Sequence, residues 1–193
     1  MAVHAGRRVR RKPPRRPSRA ERTAYHEAGH AVAAYLRHLR FTSVSIVPDR
    51  GTLGRCEFSE APIVIDLSVP PTPHTRARVE TLIVVSLAGV IAECLLTGRH
   101  NWRGAHADLH DAARYADSLA GSDAEASAYA RWLWEHTRVL LSAPRCWLAV
   151  QRLAAALAED GRVGERRARA LIASALRPPA RRPKRKARAR HPS

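Results

Sequence analysis

TAYHEAGHAVAAYL, residues 23–36, sets small and apolar side chains at the spacing of one helix face: Ala24, Ala28, Ala31, Val32 and Tyr35, with Leu36 and Leu39 continuing the stripe. Ser18 and Glu21 stand just upstream in the pattern of a capping box, where each side chain reaches the other residue's backbone N–H. The spacing predicts a first helix from about Arg19 to about His38. Gly29 falls in its middle, where glycine costs about 1 kcal/mol relative to alanine. A second element packing close there would explain it, and the element that brings a third metal ligand is the candidate.

Within this stretch, HEAGH at 26–30 carries the chemistry. His26 and His30 lie one turn apart on one helix face and can ligate one cation. Zinc suits the pair, because a catalytic zinc takes three protein ligands of this kind and keeps a fourth position open for water. Glu27 is rotated about 100° from His26, so its carboxylate can sit beside the metal and take a proton from a bound water whose pKa zinc lowers towards ~7. The plain alternative is a helix with two solvated histidines. The third ligand is not local: an extended HExxHxxGxxH would need glycine at 33 and histidine at 36, and the chain has Ala33 and Leu36. Candidates are Glu93, a carboxylate inside the apolar run LIVVSLAGVIAECLL and costly to bury unpaired, and His106, Asp108, His110 and Asp111 further on. Asp108 also reads as a helix-start acid stabilised by the helix dipole. The residues alone leave these alternatives open.

Outward from the first helix, FTSVSIVP alternates imperfectly, and a turn with Asp49 and Gly51 leads to LGRCEF, which predicts a short β-hairpin. Ser59 to Pro71 reads as loop. Thr72-Pro73 supplies an N-cap and a first-turn proline for a helix ending near Gly98. The apolar stretch Leu82 to Leu96 contains Ser86 and Glu93, and at about 15 residues it is short and polar for a membrane span. It reads as a core helix. Further helices are predicted from about Ala107 to Gly121, from Ser122 (with Glu125, a second capping box) to Pro144, from Arg145 to about Glu159 and from Glu165 to about Leu176. The fold class expected is mainly α: a compact helical domain with one small β-hairpin.

The formal net charge of +17 over 193 residues suggests a nucleic-acid binder until it is mapped. Residues 1–22 carry +8, residues 177–193 carry +8, and residues 23–176 carry +1. The domain at 23–176 is thus nearly neutral, and the basicity belongs to two Arg/Pro-rich tails of the kind that stays solvated. They are free to contact polyanions, though no aromatic residues interleave the basic ones for base stacking. Cys56, Cys94 and Cys146 form no CxxC pair, and their odd number argues against a disulfide framework. With no apolar stretch behind the basic N-terminus to read as a secretory signal, the expected location is the cytoplasm.

TAYHEAGHAVAAYL, VSIVPDRGTLGRCEF, SLAGVIAECLLTG and GAHADLHDAARYA, in this order, resemble the peptidase domain of the FtsH family of ATP-dependent zinc metalloproteases. The order and spacing are similar over about residues 23–176, to the closing RLAAALAEDGRVGERRARALI. The resemblance implies a zinc metalloendopeptidase in which His26, His30 and Asp108 hold the metal, Glu27 is the catalytic base and Glu93 is a near-site acid. Two positions depart from the family's pattern: Ala107 stands where asparagine commonly precedes the aspartate, and Val90 where arginine follows the AG pair. No GxxxxGKS or GxxxxGKT phosphate loop and no membrane span are visible. The expectation is therefore a peptidase module without its own ATPase or anchor, whose substrates are unfolded or flexible polypeptides unless a separate ATPase partner unfolds them. The competing reading, from another class, is a non-catalytic adaptor whose basic tails dock on nucleic acid or acidic partners.

Overall fold

In the computed structural model, which describes residues 15–49, 52–59, 71–102 and 104–178, the first helix forms where its capping residues predict. Ser18 Oγ accepts from the Glu21 N–H at 3.1 Å, and Glu21 Oε2 accepts from the Ser18 N–H at 3.4 Å. Helix α1 runs from there over Arg19–Leu36 and buries Ala24, Ala28, Ala31, Val32, Ala33 and Ala34.

Helix α2, Pro73–Thr97, starts on Thr72, whose side chain accepts from the Thr75 N–H, and stops at Gly98, whose φ of 68° lies in the left-handed region that favours glycine. Among the described residues it is the helix long and apolar enough to cross a membrane. Here it is the core element instead, with α1 and two later helices packed around Val79, Ile83, Val84, Leu87, Ala88 and Ile91. The α1–α2 contact accounts for Gly29: a Cβ there would lie 2.5 Å from the Ala88 carbonyl oxygen and 2.7 Å from Ala92 Cβ. The neighbour expected at Gly29 is therefore α2, and not the helix that carries Asp108. At such close approach a methyl group costs more than glycine's helix propensity.

Helices α3 (His106–Asp117), α4 (Asp123–Ser142), α5 (Pro144–Asp160) and α6 (Glu165–Leu176) complete the bundle. α3 ends four residues short of Gly121, because the chain turns where Ser118 Oγ donates to the Tyr115 carbonyl and the Leu119 N–H bonds to Ala116. At the start of α4, Ser122 accepts from the Glu125 N–H, but Glu125 reaches back to the Gly121 N–H rather than closing the box on Ser122. Pro144 both ends α4 and opens α5, since the residue before a proline is driven to extended backbone, as Ala143 is at ψ 132°.

Strands β1 (Phe41–Ser45) and β2 (Arg55–Phe58) form the expected antiparallel hairpin. A third strand, β3 (Arg162–Gly164), joins the other edge of β1, pairing Val163 with Val44, so that the sheet order is β2-β1-β3. Three residues that follow Gly161 and end on Gly164 carry too little periodicity to read as a strand; burial of Val163 against the core holds them there. The expected loop over Ser59 to Pro71 and the expected tails lie mostly outside the described residues, while Arg19–Arg22 of the 1–22 segment form the first turn of α1.

Candidate metal centre and active site

His26 and His30 project from α1 towards the start of α3. His30 Nε2 lies 3.0 Å from His26 Nε2, Asp108 Oδ2 lies 2.9 Å from His26 Nε2, and Asp108 Oδ1 lies 3.6 Å from His30 Nε2. One donor atom from each of the three falls within 4.8 Å of the other two. The other candidates for the third position stand apart from this cluster. Glu93 lies behind His26, its Oε2 3.8 Å from Nδ1 on the far side of the ring. His110 lies exposed on α3 outside the cleft, and His106 and Asp111 line the cleft without joining the donors.

Asp108 comes from the first turn of α3. Its place is set by the loop after α2, where Asn101 Oδ1 accepts from the Gly104 N–H at 3.2 Å and the Asn101 carbonyl accepts from the Ala105 N–H at 3.1 Å. The same Asn101 donates from Nδ2 to both oxygens of Glu93, at 3.1 and 3.4 Å. One amide thus ties the acid behind His26 to the loop that delivers Asp108. Sequence reasoning missed Asn101, because a single asparagine between Gly98 and Gly104 reads only as a turn residue.

Two further parts of the site were invisible in the sequence. Gly89, on α2, backs the histidines: a Cβ there would lie 2.3 Å from His30 Nε2 and 2.8 Å from His26 Nε2. The Val85 carbonyl, also on α2, accepts from His30 Nδ1 at 2.7 Å. A carbonyl only accepts, so Nδ1 carries the hydrogen, and a neutral His30 keeps its lone pair on Nε2, pointing at the cluster.

Electrostatics follow from the burial. Although burial opposes a charged imidazole, the hydrogen bond and charge of Asp108, then Glu27 and the Val85 carbonyl, hold the His30 pKa up to about 9. Burial likewise opposes charge on Asp108, but the two histidines keep its carboxyl well below the ordinary range. Glu27 sits beside the cluster and is buried at 6% exposure, walled by Gly54, where a Cβ would lie 2.7 Å from its Oε1. Burial raises its carboxyl, with Asp108 adding to the rise, while His30, His26 and Arg55 pull it back.

The donor set fits zinc: two imidazole nitrogens and one carboxylate, with space kept by a glycine and open cleft on the remaining side. The cleft encloses about 740 Å³ and runs past Glu27, β2 and the start of α3.

No curated protein matches the chain. A family model does: that of Peptidase family M41, over residues 15–121. The matched segment is more than half of the chain and reaches from the approach to α1 to the end of the α3 turn, leaving α4–α6 outside it. It takes in both histidines, Glu27, Glu93 and Asp108, as the resemblance of the sequence to the FtsH peptidase domain implies, and the chain belongs to Peptidase family M41.

Proposed function

We propose that the protein is a zinc-dependent endopeptidase that hydrolyses unstructured or flexible protein segments, with His26, His30 and Asp108 as metal ligands and Glu27 as general base. The observation that carries this reading is the convergence of one atom from each of the three ligands beside a buried glutamate. Zinc, when bound, would supply a Lewis acid that polarises the scissile carbonyl and acidifies water.

The chain's own residues do the rest. The Val85 carbonyl fixes the His30 ring so that Nε2 faces the site, and Asp108 brings the negative charge that two neutral imidazoles lack. Glu27 takes the proton from the attacking water onto a carboxylate oxygen and returns it to the leaving amine. Its raised pKa brings the carboxylate closer to neutrality, where a base both accepts and gives up a proton readily. Strand β2 has β1 as its partner on one side, and its other edge, unpaired among the described residues, could take main-chain pairing with an extended substrate. Folded substrates would need a separate ATP-driven unfoldase. Three free cysteines fit a reducing compartment, and we place the activity in the cytoplasm.

The test is metal content combined with cleavage of an unfolded protein such as casein. About one zinc per chain and hydrolysis abolished by a chelator are expected, with Glu27→Gln retaining zinc and losing at least ~100-fold in turnover. A chain that binds zinc and leaves casein intact would instead be an adaptor.

A further inference from the structure

We propose that the cleft selects flexible segments bearing acidic side chains next to a large apolar residue; this rests on the endopeptidase reading above and names its substrate class. The inference comes from which charges in the cleft are already engaged. Asp108 is taken by the two histidines, Glu93 by Asn101, and Asp111 lies 3.6 Å from Arg114. Glu27 is buried as the base. The lining acids are thus accounted for.

The lining cations are less fully engaged. Arg22 makes a long ion pair with Glu93 at 3.9 Å, and its Nε is buried with no hydrogen-bond partner among the described residues. A buried donor left so costs free energy until a ligand satisfies it. Arg19 and Arg55 line the same cleft and make no ion pair among the described residues. Arg55 lines the cleft together with Glu27, which places positive charge on the walls around the proposed base. Leu53 and Phe58 line the same cleft and are 44% and 41% exposed, apolar surface left to solvent beside the arginines. An extended segment laid along the edge of β2 that is unpaired among the described residues alternates its side chains, so one face meets the apolar pair and the next residue meets Arg55. Acidic groups complement the arginines and lysines are repelled by them.

The tails are also basic and attract acidic peptides, so the decisive variants change the cleft and leave the tails intact. Two quenched fluorescent peptides of equal length, each with a central leucine, carry glutamate on both flanks in one and lysine in the other. With the zinc-loaded full chain, kcat/KM for the glutamate peptide should exceed that for the lysine peptide by about tenfold or more, shrinking as salt is raised. Arg55→Glu should lower this ratio by about tenfold, with Arg55→Gln between the two; using a ratio cancels any effect of the substitution on the chemical step. A wild-type ratio near one would overturn the proposal. So would a ratio unchanged in both variants, which would place the preference in the tails. If neither peptide nor casein is cut, the endopeptidase reading fails on its own. Fluorescence anisotropy of the labelled peptides then decides selectivity: tighter binding of the glutamate peptide, lost in Arg55→Glu, supports the cleft, and equal binding overturns it.

Discussion

At the scale of the residue, Asp108 and Glu93 divide between them what a metal site needs. Asp108 meets both histidine nitrogens that face the cluster, while Glu93 meets the opposite nitrogen of His26 and the amide of Asn101. Asp108→Asn should therefore weaken zinc binding strongly, since a neutral amide replaces the proposed anionic ligand. Glu93→Gln and Asn101→Asp act one shell away, and each should cost about 10- to 100-fold in zinc affinity. The double variant Glu93→Gln/Asn101→Asp restores an amide facing a carboxylate and should recover most of that loss. Titration against a competing chelator checks both points; no recovery in the double variant would mean that the pair does not act as a clasp. The His30 proton gives a third expectation. Its folded pKa of about 9 exceeds the unfolded 6.5, so its contribution to metal-free stability is complete below 6.5 and is lost as pH rises through about 9. Zinc must displace that proton. Apparent zinc affinity should thus climb by about tenfold per pH unit across this window, measured in the same titration, and the climb should shrink in Asp108→Asn, where the charge holding the proton is gone.

At the scale of the element, the site depends on how closely α1 and α2 approach. Gly29 lets the α2 backbone press on α1, and Gly89 leaves room on α2 for the two imidazoles. Gly89→Ala would place a methyl group within 2.3 Å of His30 Nε2, so the ring must move off its hydrogen bond to Val85. Alanine also favours the helix by up to about 1 kcal/mol. We expect this variant to stay helical by circular dichroism while losing most of its zinc affinity. Retained affinity would show that the ring finds another rotamer with the same reach. The helix boundaries were legible in the sequence because caps are local: Ser18, Thr72 and Ser122 each accept a hydrogen bond from three residues ahead. The end of α3 was not, because the turn after Asp117 is made by the Ser118 hydroxyl and backbone bonds, with no Gly or Pro to announce it.

At the scale of the whole molecule, charge and fold are separable. Sixteen of the 17 formal positive charges come from residues 1–22 and 177–193, flanking a domain of nearly balanced charge. A chain trimmed to residues 15–178 should remain folded and keep its activity on small peptides, while its salt-sensitive binding to a polyanion such as heparin weakens. Loss of the cooperative thermal transition on trimming would show instead that the tails contribute to the core. The sequence by itself determined the helices, the hairpin, the paired histidines and their glutamate, because each of these rests on relations within a few residues along the chain: capping, the helical stripe, and imidazoles one turn apart on one face. Only the tertiary structure brought Asp108, 82 residues from His26, to the same point and set Glu93 behind the ring. It alone revealed Gly89, Val85 and Asn101 as parts of the site, and β3 as part of the sheet. Their roles are spatial: a hydrogen atom in place of a methyl, a carbonyl aimed across two helices, an amide spanning a loop and three residues completing a sheet edge become functional only when packing fixes what lies opposite them.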